Sequence, residues 1–145
     1  MNTQEQLRQL FNDNFVAYFR SQVAHVNIMG RNFASDHELL KGIYEDLQDQ
    51  IDVIAELLRT VNEFMPNELA GVVMDSNIQA DIMQGSSDVM LESVLSDLTA
   101  LKQCYEDLVV VCEDEHEVAI GNYAQDRILT IAKFVWMIKA TLDLQ

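Results

Sequence analysis

The chain has 145 residues, with 24 acidic side chains against nine basic ones and a formal net charge of −15. One domain spanning 1–145 is the expectation for that length, with a single core that buries most of its apolar surface. So acidic a balance, with one base in the first 19 residues and none in the closing ATLDLQ, argues against direct binding to nucleic-acid phosphates. It favours solubility and draws cations.

Hydrophobic residues make up 49% of the chain, whereas there are five glycines and one proline, Pro66. That is a globular composition with few breakers, which points to long helices and few turns. No apolar run reaches the length needed to span a bilayer. The opening MNTQEQLRQLFNDNF has no basic start with an apolar stretch behind it, so the expected location is the cytoplasm.

The first segment, about 4–29, carries Leu7, Leu10, Phe11, Phe15, Tyr18, Phe19 and Val23 at three- and four-residue steps, the spacing of one helix face. Gly30 is placed to end it. The second segment, about 35–64, repeats the pattern with Leu40, Ile43, Leu47, Ile51, Ile54, Leu58 and Val61. Ser35 followed by Glu38 reads as a capping box at its start. A connector from Pro66 to Gly85 holds one short helix, about 67–75, with the proline in its first turn.

The third segment, about 87–112, carries Met90, Val94, Leu98, Leu101, Tyr105, Leu108 and Cys112. The acidic run Glu113, Asp114, Glu115 marks a turn. The fourth segment, about 116–142, has Ala119, Tyr123, Ile128, Ala132, Val135 and Ile138 as its apolar positions. Cys104 and Cys112 lie eight residues apart on one helix, or roughly 12 Å, too far for a disulfide. Both are expected to be reduced and buried. Four long helices with one long connection between the second and third describe an all-α, ferritin-like four-helix bundle.

Two of the three histidines, His25 and His37, flank the first turn, and Asp52 and Glu56 follow on the second helix. His37 and Asp52 are about 22 Å apart along a straight helix axis and cannot share an ion within one chain. They nevertheless fall within roughly 60° of each other around that axis, on a strip with Lys41 and Tyr44. Two copies of the helix placed antiparallel about a twofold axis near residues 44 and 45 would bring His37 beside Asp52 of the second copy. Such a site occurs twice per dimer. One chain then offers His25 and His37, and the other offers Asp52 and Glu56. Two imidazoles with two carboxylates suit iron or zinc. The alternative is that the acids belong to a solvated face and the histidines to a helix end.

The pattern His25, Asn27, Gly30, Phe33, His37, Glu38, Asp52, Ala55, Glu56, with Trp136-Met137 and Lys139-Ala140 near the C-terminus, resembles the Dps family of mini-ferritins. The resemblance covers nearly the whole chain and needs no gaps in the histidine-to-carboxylate block. It implies a hollow dodecameric cage that binds ferrous iron at ferroxidase centres across twofold interfaces. Iron would be oxidised there with hydrogen peroxide or oxygen and stored as ferric mineral, which protects against oxidative stress. By matching positions, His25 and His37 from one subunit and Asp52 and Glu56 from the other would be metal ligands and catalytic residues, with zinc as a substitute metal. Glu113 and Glu117 fall where the family lines pores with acids; the alternative is a solvated helix junction.

Three departures from the family pattern stand out. Lys41 replaces an acid, Val26 replaces a tryptophan, and no lysine-rich tail is present. The alternative function is therefore a ferritin-like cage or structural protein with lost or altered metal chemistry, in which Lys41 pairs with the partner's acids. A DNA-coating role is disfavoured by the charge, and no membrane association is expected.

Overall fold

Five helices account for most of the computed structural model, which describes residues 1–144. Helix α1 runs over Thr3–Asn27, α2 over Phe33–Thr60, α3 over Leu69–Met74, α4 over Ser87–Glu115 and α5 over Val118–Thr141. α1 packs against α2 and α4, α4 packs against α5, and the short α3 lies against α1. This is the expected four-helix bundle with a small helix in its long connection. No helix among the described residues is long and apolar enough to cross a membrane.

The core runs the length of the bundle. Leu7, Leu10 and Ala24 of α1, Leu40, Ile43, Leu47, Ile54 and Leu58 of α2, and Leu91, Leu98, Leu101, Tyr105 and Leu108 of α4 are fully buried. Each large side chain removed from water contributes about 1.5–3 kcal/mol. Together the stripes dictate which helix faces meet. Both cysteines are free and buried.

Several element ends differ from the sequence reading, each for a local hydrogen-bonding reason. α1 begins with a capping box that was not anticipated. Asn2 Oδ1 accepts from the Glu5 amide at 2.9 Å, and the Asn2 amide donates to the Glu5 carboxylate at 3.1 Å. α1 ends at Asn27 with Ile28 as its cap, so Gly30 is not the capping glycine. It sits later in the turn at φ +131, a conformation that a side chain would strain. The expected Ser35–Glu38 box does not form. α2 starts two residues earlier behind Asn32, and the Ser35 hydroxyl donates back to the Asn32 carbonyl at 3.1 Å.

Pro66 precedes α3 rather than lying in its first turn, because the helix begins only at Leu69. The acidic run Glu113–Glu115 belongs to α4, and the break falls at His116, whose left-handed φ of 61° ends the helix. In α5 the buried positions are Ile120, Gly121, Ala124, Arg127, Ile131 and Ile138. Ala119 is exposed, and Tyr123, Ile128 and Val135 flank the core. The stripe is thus rotated by about one residue, because α5 is apolar on more than one side and its spacing alone does not choose a face.

The connector between α3 and α4 has no regular structure and is held by side chains of α1 and α4. Asp13 Oδ1 accepts from the Ser76 hydroxyl and the Asn77 amide, both at 2.8 Å. One heptad further along α1, Arg20 donates to Asp81 of the connector and to Asp97 of α4, each at 2.6 Å. The first clamp satisfies backbone that no ladder satisfies, and the second neutralises a charge that burial would otherwise penalise.

Candidate metal centre

His25 lies in the last turn of α1 and His37 in the first turns of α2. The tight connection folds the two helices back on each other and brings the imidazoles face to face, with ring centroids 3.8 Å apart and planes 16° from parallel. Each ring bonds the other residue's backbone. His25 Nδ1 lies 2.8 Å from the His37 carbonyl oxygen, and His37 Nδ1 lies 2.7 Å from the His25 carbonyl oxygen. A carbonyl only accepts, so both Nδ1 atoms carry the proton. In the neutral rings this leaves the lone pair of each Nε2 available to a cation. The same two bonds tie the helices together, each contributing about 1 kcal/mol.

Two aromatic side chains that sequence reasoning did not assign to the site complete its walls. Phe33 stacks on His37 at 4.8 Å between centroids, and the Tyr44 ring packs against His25 at 4.9 Å. Tyr44 had been placed on the same helical strip as His37, so its position was a usable signal. Phe33 lay before the expected start of α2, which hid its role.

Asp52 and Glu56 are exposed on α2, on the strip that carries His37 but several turns away. The structure unites the two histidines and leaves the two carboxylates apart, as helix geometry requires. Among the described residues no group of three or more histidine, cysteine or acidic side chains is close enough to hold a metal ion. The chain thus presents a pair of imidazoles at one place and a pair of carboxylates at another. The donors suit a divalent transition metal: imidazole nitrogens with fixed tautomers at one place and ionisable carboxylates at the other.

Glu113 and Glu117 line a mixed polar and apolar cavity at the α4–α5 junction, with His116, Asn122 and Gln125 on one hand and Val109 and Val118 on the other. Glu113 is exposed, and Glu117 precedes the first turn of α5. The neighbouring Glu115 points elsewhere. It accepts from the amide and, at 2.6 Å, from the hydroxyl of Thr3, and so fastens the end of α4 to the start of α1. The Thr3 hydrogen bonds hold its carboxyl below the usual range.

The family model for the ferritin-like domain matches residues 4–145, and the chain belongs to that family. The DNA protection during starvation protein of Helicobacter pylori is 26% identical over 144 residues, covering 98% of this chain and 99% of that one. Antigen TpF1 of Treponema pallidum is 29% identical over 139 residues, 95% of this chain and 78% of that one. Among solved structures, Dps from Listeria monocytogenes superposes with a TM-score of 0.94 at 20% identity, over 99% of this chain and 95% of that one. Dps from Vibrio cholerae, described as a member of a broad superfamily of ferritin-like diiron-carboxylate proteins, gives 0.91 at 23% identity, over 97% and 88%. Within the ferritin-like family the chain's fold is similar to that of the Dps proteins.

Proposed function

We propose that this protein captures ferrous iron at centres shared between subunits, oxidises it, and stores the ferric product inside a dodecameric cage. The observation that carries this reading is the reciprocal bonding of His25 and His37 to each other's carbonyls. It fixes both tautomers, holds both rings, and leaves two Nε2 donors around which no third ligand gathers among the described residues. Half a site of this kind calls for a second copy to complete it. Asp52 and Glu56 of that copy would supply the oxygen donors, and the antiparallel pairing of two α2 helices about a twofold axis provides the register.

In this arrangement iron is the substrate. His25 and His37 would bind it as neutral ligands, and the carboxylates of Asp52 and Glu56 would offset its charge and favour the ferric product. Hydrogen peroxide or oxygen would be the electron acceptor. The acids at the α4–α5 junction, Glu113 and Glu117, would raise the local cation concentration along an entry route. Zinc, which accepts the same donors, would act as a competitive substitute.

A second reading is favoured by Lys41, which stands one turn after His37: a cage of the same architecture whose metal chemistry is altered or lost. Ferrous oxidation on pure protein separates the two, with bound iron counted and particle mass measured in parallel. The first reading expects a dodecamer whose iron oxidation falls at least tenfold in Asp52→Ala. A stable monomer at micromolar concentration, or oxidation indifferent to Asp52→Ala, overturns it.

A further inference from the structure

Lys41 is set between the two residues that grip His25. His37 precedes it by one turn on α2 and stacks on the His25 ring, and Tyr44 follows by one turn and packs on the same ring. At about 100° per residue, positions 37, 41 and 44 share a strip roughly 60° wide. The stem of Lys41 is therefore rooted on the surface that carries the histidines. The side chain is exposed, and none of the ion pairs among the described residues includes it. Glu45, one turn on and well spaced to hold it, does not. The ammonium of Lys41 thus has no counter-ion among the described residues of its own chain.

We propose that the Lys41 ammonium takes the place of a second cation at the shared centre and makes it a site for one divalent ion. This rests on the shared-centre reading above. Two neutral imidazoles and two carboxylates carry a charge of −2, and Lys41 reduces it to −1. One divalent ion then leaves the centre at +1, and a second would raise it to +3 a few ångströms from an ammonium. Without Lys41 the same two ions leave +2, and with an acid in its place they leave +1. The ammonium thus weakens the hold on the first ion and opposes a second, which an acid in its place would both ligate and neutralise. A flexible four-carbon stem lets the ammonium approach the partner's carboxylates without a fixed geometry.

The test is anaerobic titration of the assembled protein with cobalt(II), followed by calorimetry and visible absorption, so that binding is read without turnover. Asp52→Ala, an exposed position, defines which uptake belongs to the centre. Lys41→Gln removes the charge without adding a ligand, and Lys41→Glu adds one. The wild type should take one site-specific ion per chain. Lys41→Gln should still take one, bound about tenfold more tightly at low ionic strength, as expected for a unit charge some 6 Å away in a watery setting. Lys41→Glu should take two. If the wild type takes two and neither variant changes number or affinity, the role of Lys41 is overturned while the centre stands. If Asp52→Ala binds as the wild type does, the centre itself is wrong, and the proposal falls with it.

Discussion

Arg127 of α5 closes on Asp46 of α2 through two parallel contacts, Nη1 to Oδ1 at 3.0 Å and Nη2 to Oδ2 at 2.6 Å. The same guanidinium lies over the Tyr105 ring, 5.7 Å from its centroid, and Nε donates to the Tyr105 hydroxyl at 3.4 Å. Tyr123 extends the network by donating to Gln50 at 2.6 Å. α2, α4 and α5 are thereby joined by polar groups inside an apolar bundle.

Removing one half of that pair should cost far more than removing both. Asp46→Ala leaves a buried guanidinium without its carboxylate, a loss of about 3 kcal/mol or more in unfolding free energy. Arg127→Met together with Asp46→Leu should recover most of it, because two apolar groups need no partners. Urea unfolding at a fixed protein concentration makes the comparison. Equal losses in the single and double variants would show that the pair is not a unit.

Stability should depend on pH through Asp97. Burial pushes its carboxyl up to about 6, against the hydrogen bond and charge of Arg20, which pull it down. The folded state thus binds this proton more tightly than the unfolded state, whose carboxyl titrates near 4. The contribution is fully present below pH 4 and is lost as pH rises through 6. Asp97→Asn keeps an acceptor for Arg20 and removes the titration. The stability of the wild type relative to this variant should fall between pH 4.5 and 7.5. A difference that stays flat would place the Asp97 titration below this range.

Neither cysteine should react in the native state. Burial pushes both thiols up, and the nearby acids Asp13 and Asp107 for Cys104, and Glu117 and Glu115 for Cys112, add to it. Thiolate is the nucleophile, so a disulfide reagent at pH 8 should label neither residue in buffer and both in denaturant. Rapid labelling of the folded protein would contradict the packing around them.

Duplex DNA should not be retained at moderate salt. Phosphate affinity comes from lysine and arginine releasing counterions, and each chain here carries a net −15. A mobility-shift experiment with chelator present, which removes divalent bridges, should show free DNA only. A retained complex under those conditions would refute the expectation.

Helix number, the long connection and the stripes of α2 and α4 were legible in the sequence, because an apolar residue at every third or fourth position has one stable use, burial against another helix. On α1 Leu7, Leu10 and Phe11 are buried as read, but Phe19 is exposed and the small residues Ala17, Ser21 and Ala24 take the core face. The separation of His37 from Asp52 along α2 was equally legible, since the helical rise forbids contact whatever surrounds it. The face of α5 was not, and Arg127 lies on its buried side because Asp46 and Tyr105 meet it from other helices. Helix ends were also decided late: Ser35 had the right spacing for a cap, but the backbone turned two residues earlier. The sequence placed His25 and His37 near one turn. Only the folded chain decided that each ring would spend its Nδ1 proton on the other's carbonyl, because that bond depends on two helices meeting in one register.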